Sequence, residues 1–211
     1  MHPSFWDSRY ANEPGYVFGT EPNEFLRDVA DRIRPGGRVL CVAEGEGRNA
    51  VFLAERGFHV TAIDQSVVGL EKAKHLATAR GVEGRITMIV ADLLGHDLGE
   101  GNWDAIVWIF LHLTPPERRR LLERTSRALM PEGLLVLECY TPCQVRWKTG
   151  GPIQAPELLV ELTDLQGACP ELETVIGLER ERDVIEGTGH TGRADVVQWL
   201  ARRATASPAR A

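Results

Sequence analysis

Gly45, Gly47 and Ala50 are spaced G-x-G-x-x-A, and Asp64 stands nineteen residues after Gly45. Glycines at that spacing make a tight turn and let a ligand approach the backbone, and the helix that follows begins with unpaired N–H groups. A carboxylate at the distance of Asp64 accepts hydrogen bonds from both hydroxyls of a ribose. Turn and acid together point to an adenosine-containing cofactor. Taken singly, the glycines would equally serve a bare turn, and Asp64 would equally cap a helix.

Two glutamates, Glu44 and Glu46, flank the first glycine. A pyrophosphate wants N–H groups and a positive helix end, and carboxylates beside it repel it. A sulfonium and an ammonium reverse that sign. The acidic turn therefore favours S-adenosyl-L-methionine over a dinucleotide such as NAD. Asn49, just inside the helix, and Gln65 and Ser66, just past Asp64, belong to the same candidate cofactor site.

These residues need a scaffold that brings turn and acid together. Five nearly continuous apolar runs, Val39–Ala43, His59–Ile63, Ile86–Val90, Ala105–Phe110 and Leu134–Tyr140, read as strands of a parallel sheet covered on both faces. Helical patterns at Asn49–Arg56, Val67–Arg80 and Pro115–Met130 lie between most of them, which makes right-handed βαβ units. The third helix carries a capping box, Thr114 to Glu117, with Pro115 at its first position. A further helix is marked by Phe25, Leu26, Val29, Ala30 and Ile33, and another by Leu158, Leu159, Leu162 and Leu165. Leu178–Glu186 and Ala194–Leu200 are joined by only "GTGHTGR", too short for a crossover, so they form an antiparallel hairpin.

Ligands of an open α/β sheet bind beyond the carboxyl ends of its parallel strands. That edge holds the Gly45 turn, Asp64, Asp92 and Leu93 after the third strand, and Ile109 to His112 after the fourth. The hairpin turn ends there too, which places His190 and Arg193 on the acceptor side as candidate catalytic residues. The loop "YTPCQVRWKTGGP" adds Arg146, Trp147 and Lys148, a basic cluster that reads as a lid or a solvated loop.

Composition narrows the partners. With 211 residues the chain is a single domain over 1–203, with a lid and helix section at 1–35 and a flexible tail at 204–211. A net charge of -6 disfavours a broad nucleic-acid surface, and no apolar run nears the ~20 residues that span a membrane. The first residues lack the basic-then-apolar pattern of a signal peptide. Cys41, Cys139, Cys143 and Cys169 form no C-x-x-C pair and no zinc spacing, so no metal site is expected, and reduced thiols suit the cytoplasm. A monomer or weak homodimer is expected, acting on a small-molecule acceptor.

The residues from Val39 to about Glu138 resemble the class I S-adenosylmethionine-dependent methyltransferases. "VLCVAEGEG" is similar to the family's V-L-D-L-G-C-G-E-G, with Gly45, Glu46 and Gly47 matching, Cys41 in place of the aspartate and Ala43 in place of the first glycine. Asp64 matches the ribose-binding acid, Asp92 the acid near the adenine amino group, and "LMPEGLLVLE" the segment before the fifth strand. The resemblance implies a Rossmann-like α/β fold: a seven-stranded, mostly parallel sheet in the order 3-2-1-4-5-7-6 with strand seven antiparallel. It also implies that Glu44 supplies the carboxylate missing at Cys41.

"FWDSRY" and "YVFGTEPNEFL" are similar to the N-terminal section of tellurite-resistance and thiopurine-type methyltransferases. There the section closes over the cofactor and the acceptors are small soft nucleophiles. The match rests on Trp6, Arg9, Tyr16, Phe18, Gly19, Pro22 and Asn23, and implies that Trp6 and Arg9 join the cofactor site. The expected activity is methyl transfer to a thiol, selenium or tellurium species, with His190 as proton acceptor and Arg193 steadying the anion. An NAD(P)-dependent oxidoreductase and a binding module without turnover are the rivals.

Overall fold

The computed structural model describes residues 3–205, so most of the expected tail at 204–211 lies outside the described residues. Seven strands form one sheet in the order β3-β2-β1-β4-β5-β7-β6. They are β1 (Arg38–Val42), β2 (His59–Asp64), β3 (Ile86–Val90), β4 (Trp103–Ile109), β5 (Leu129–Tyr140), β6 (Leu172–Glu186) and β7 (His190–Arg203). The first five pair in parallel, and β7 runs antiparallel to both β5 and β6. β6 is thereby parallel to the first five, and the expected topology is the observed one.

Six α-helices complete the described chain: α1 (Pro3–Ala11), α2 (Glu24–Val29), α3 (Arg48–Glu55), α4 (Val67–Ala79), α5 (Pro115–Ala128) and α6 (Leu162–Ala168). Strand alternation sorts the core. Leu40 and Val42 face Leu121, Leu122 and Leu165 of α5 and α6. Val39 and Cys41 face Leu26, Ala50 and Leu53 of α2 and α3. Both faces of β1 are buried, which is why its sequence is an unbroken apolar run. Thr114 and Glu117 form the expected capping box, with the Thr114 N–H donating to Glu117 at 3.0 Å.

Several boundaries differ from the sequence reading. α5 stops at Ala128 because Pro131, Glu132 and Gly133 turn the chain, Glu132 at φ 65°, before β5 resumes its register opposite Ala105. The leucine pattern after residue 156 is a 3-10 turn at Pro156–Leu158 followed by α6 at Leu162–Ala168. β6 and β7 are longer than their apolar runs, pairing from Leu172↔Arg203 to Glu186↔His190. The edge strand leaves one face solvated, so charged residues extend it without an apolar signal. Among the described residues, no helix is long and apolar enough to cross a membrane.

Candidate active site

The glycine turn joins β1 to α3 at the carboxyl edge. Ala43, Gly45 and Gly47 all take left-handed backbone, at φ 51°, 63° and 91°. Ala43 thus holds a conformation that glycine adopts without strain, at the position where the family has a glycine. Asp64 is buried, and its two oxygens accept the Gly45 and Ser66 N–H groups at 2.8 Å each. Burial raises its pKa, and those N–H groups oppose the rise. Residues Asp92 and Leu93 stand beside it, because the Ala91 N–H donates to the Asp64 carbonyl. Asp92 is exposed, while Leu93 and Ile109, the last residue of β4, are buried.

Glu44 turns back toward the start of α3, where its Oε1 accepts the Asn49 and Ala50 N–H groups at 2.9 and 2.8 Å. Burial pushes its pKa up to about 7. The Cys41 thiol, itself raised by burial, hydrogen-bonds to it. A carboxylate therefore lies beside the position where the family carries its first aspartate. Glu46 faces the N-terminal segment: Oε2 accepts the Val17 N–H at 2.8 Å, and Oε1 meets Lys72 Nζ at 2.9 Å. Asn49 Oδ1 accepts the Asn23 N–H at 2.9 Å, so this side chain joins the lid segment to α3.

α1 lies over the turn. Tyr10 is buried, and a Cβ built on Gly45 would meet its hydroxyl at 2.6 Å. Half-buried Trp6 stacks on Tyr10 with ring centres 5.7 Å apart, and exposed Arg9 sits 5.7 Å over the Phe18 ring. Asp7 accepts the Ser66 hydroxyl at 2.5 Å. Burial first, then Asp64, Glu46 and Glu44, raise the pKa of the Tyr10 hydroxyl. The field at this turn is negative, which fits a sulfonium and an ammonium and opposes a pyrophosphate.

The edge past β4, β5 and the hairpin, read from the sequence as the acceptor side, carries an aromatic cluster. Phe18, Phe110 and Tyr140 surround His190 with ring centres at 4.5, 4.7 and 5.6 Å. His112 stacks on Tyr140 at 5.7 Å. Burial, helped by His190, lowers the pKa of His112 to about 3; burial also lowers that of His190, against the pull of Glu186. Behind the rings is a buried charged network. Arg48 meets Glu186 at 2.7 Å, Arg182 meets Glu138 at 2.6 Å, and Asn23 donates to both carboxylates at 2.8 and 3.0 Å.

The expected partnership of His190 with Arg193 is not observed. Both lie inside β7 rather than in the turn, three positions apart, and strand alternation sends them to opposite faces. Arg193 is exposed and pairs with Glu181 at 3.2 Å and Asp183 at 3.7 Å. Arg146, read as a lid cation, is likewise neutralised by Glu181 and Asp195. Arg48 shares Glu186 Oε2 with His190 and is the network guanidinium that acts on its pKa. Arg48, Arg182, Glu186 and Tyr10 were missed because each sits inside an amphipathic or charged run, whereas Glu138, a lone carboxylate in the apolar run Leu134–Tyr140, was a signal left unread. Alternation in "ERDVIE" was a further signal, since Arg182, Val184 and Glu186 share one face and are all buried.

Residues 39–133 match the family described as "Methyltransferase domain". A glycine/sarcosine N-methyltransferase of Halorhodospira halochloris is 33% identical over 137 residues, covering 63% of this chain and 47% of the relative. The chain thus spans about half the length of the curated relatives it matches. Among solved structures, TehB from Haemophilus influenzae superposes with a TM-score of 0.69 at 18% identity, covering 95% of this chain and 66% of TehB. A protein solved in work on the conversion of a disulfide bond into a thioacetal group during echinomycin biosynthesis gives a TM-score of 0.73 at 22% identity, covering 98% and 93% of the two chains. The match to the methyltransferase domain spans residues 39–133, and the described chain shares the Rossmann-like fold and sheet order of these solved structures.

Proposed function

We propose that this chain is an S-adenosyl-L-methionine-dependent methyltransferase whose acceptor is a small soft nucleophile, a thiol or its selenium or tellurium counterpart. When bound, that cofactor supplies a methyl group already activated on a sulfonium. The residues that would hold it are the Gly45–Gly47 turn, Glu44, Asp64 with Gln65 and Ser66, Asp92 and Leu93, Ile109, and Trp6 and Arg9 of the lid. Glu46 and Asn49 act by holding the N-terminal segment against that turn.

The observation that carries the acceptor class is the charge balance around His190. Arg48 and Arg182 are matched by Glu186 and Glu138, and burial lowers the proton affinity of both imidazoles. Such a wall suits a neutral nucleophile that arrives with its proton, because the two guanidiniums of the buried network are already matched by carboxylates. His190 takes the thiol proton, while the aromatic rings of Phe18, Phe110 and Tyr140 hold the acceptor body and exclude water. Four unpaired cysteines among the described residues favour a reducing compartment such as the cytoplasm.

A second reading, an amine acceptor, follows from the relative that is a glycine/sarcosine N-methyltransferase. An amino acid would need a cation for its carboxylate, and the guanidiniums of the buried network, Arg48 and Arg182, are already paired. The deciding experiment incubates the protein with methyl-labelled S-adenosylmethionine and a panel of thiols, selenols, selenite, tellurite, glycine and sarcosine. Methylated thiols or selenols are the expected products. Turnover confined to amines or oxyanions would overturn the acceptor class.

A further inference from the structure

We propose that Glu186 is a positioning residue that holds the Nδ1 side of His190 and leaves Nε2 turned toward the acceptor. This rests on the reading of His190 as the proton acceptor.

Glu186 is a buried carboxylate with donors on both oxygens. Oε2 meets Arg48 Nη2 at 2.7 Å and lies 3.5 Å from His190 Nδ1. Oε1 accepts Asn23 Nδ2 at 3.0 Å and faces Arg182 Nη2 at 3.4 Å. Burial alone would raise its pKa, yet Arg48 and His190 hold it down to about 2, so it is ionised at neutral pH. Donors from α3, β6 and the segment before α2 thus fix the carboxylate that His190 meets, with Arg48 on the same oxygen.

His190 Nδ1 is buried and makes no close hydrogen bond, so a shift of a few tenths of an ångström toward Glu186 satisfies it. His112 Nδ1 is equally unpartnered, but no carboxylate lies within salt-bridge reach of it among the described residues. Glu138 meets Arg182, Asn23 and Gln198, and Glu186 is the carboxylate within salt-bridge reach of His190. An imidazole whose Nδ1–H is held by a carboxylate presents Nε2 as its free acceptor, and the two ring nitrogens point away from each other. The step is a plain proton transfer: the acceptor S–H bond breaks, its electron pair stays on sulfur, and the proton passes to Nε2. The charged and titratable groups that face His190 are Glu186 on β6, Arg48 on α3, Arg9 on α1, Tyr140 on β5 and His112 after β4.

The test reads the imidazole directly and needs no acceptor. Nitrogen-15 NMR of the full chain, with His190 assigned through His190→Gln, is recorded from pH 4 to 9 for the wild type, Glu186→Gln, Glu186→Asp and Arg48→Met. The neutral wild-type ring is expected as the Nδ1–H tautomer. Losing a carboxylate within reach lowers the His190 titration midpoint by about one unit or more in Glu186→Gln. Glu186→Asp restores part of that shift, and Arg48→Met moves the midpoint upward. If Glu186→Gln fails to fold, the opposite-signed Arg48→Met shift and the Glu186→Asp tautomer carry the test. An Nε2–H tautomer in the wild type, or midpoints unchanged in all three variants, overturns the proposal. With a thiol from the panel, the acid limb of kcat/KM should follow the NMR midpoint. NMR shifts as expected without thiol turnover would keep the positioning of the ring by Glu186 and overturn the role of His190 as base.

Discussion

His190 and Arg193 leave β7 on opposite faces of the sheet, His190 toward the Glu186–Arg48 pair and Arg193 toward Glu181 and Asp183. Proximity in sequence therefore says nothing about partnership here. His190→Ala should lower turnover about 100-fold or more, the usual effect of removing a general base, while S-adenosylmethionine affinity stays near wild type. Arg193→Ala should keep turnover within about twofold, since it loses only exposed ion pairs. Steady-state kinetics beside calorimetry checks both.

Asp64 is held by backbone N–H groups on both oxygens before any ligand arrives. Asp64→Asn turns an amide toward one of those donors and removes the charge that would receive the ribose hydroxyls. Two charge-assisted bonds at about 1.5–3 kcal/mol each correspond to a roughly 100-fold or greater rise in Kd for S-adenosylmethionine. Calorimetry measures it; an unchanged Kd would remove Asp64 from the cofactor site.

Glu44 has its folded pKa raised to about 7, so the fold favours its protonated form. That stabilisation is complete below the ordinary glutamate range and is lost as pH rises through about 7. Glu44→Gln mimics the protonated form and still accepts the two helix N–H groups. Urea unfolding should show the variant gaining stability relative to wild type between pH 5 and pH 8. The same variant should weaken S-adenosylmethionine more than adenosine if Glu44 faces the methionine ammonium.

His112 works with the opposite sign. Its folded pKa is lowered to about 3, so stability is complete above the ordinary histidine value and declines as pH falls from there toward 3. His112→Gln should flatten the fall in thermal midpoint between pH 7 and pH 4. Differential scanning calorimetry across that range checks it; an equal acid slope in both proteins would assign the lability elsewhere, to groups such as His190.

The elements that position the cofactor turn were legible because they announce themselves locally. Val39 to Val42 is buried on both faces and therefore uniformly apolar, and Gly45 and Gly47 carry left-handed backbone that few other residues adopt. The lid was partly legible: Trp6 and Arg9 were read from their resemblance, but Tyr10, the ring that covers Gly45, was not. One turn of α1 separates the aromatic that signals from the aromatic that touches the turn.

While the strand order came from the family resemblance, the sequence by itself determined the alternation of strands and helices, the acid at the end of β2, the acidic glycine turn and the hairpin that returns to the ligand edge. Each follows from spacing along the chain or from the periodicity of a single element. Only the tertiary structure decided which charges meet. Asn23, Arg48, Glu138, Arg182 and Glu186 are up to 163 residues apart, and nothing in the local sequence of any one of them names its partners. Their burial depends on β6 and β7 docking beside β5 and on the N-terminal segment crossing over α3. Pairing across the sheet is set by register between strands, and register is a relation between segments that no single segment contains.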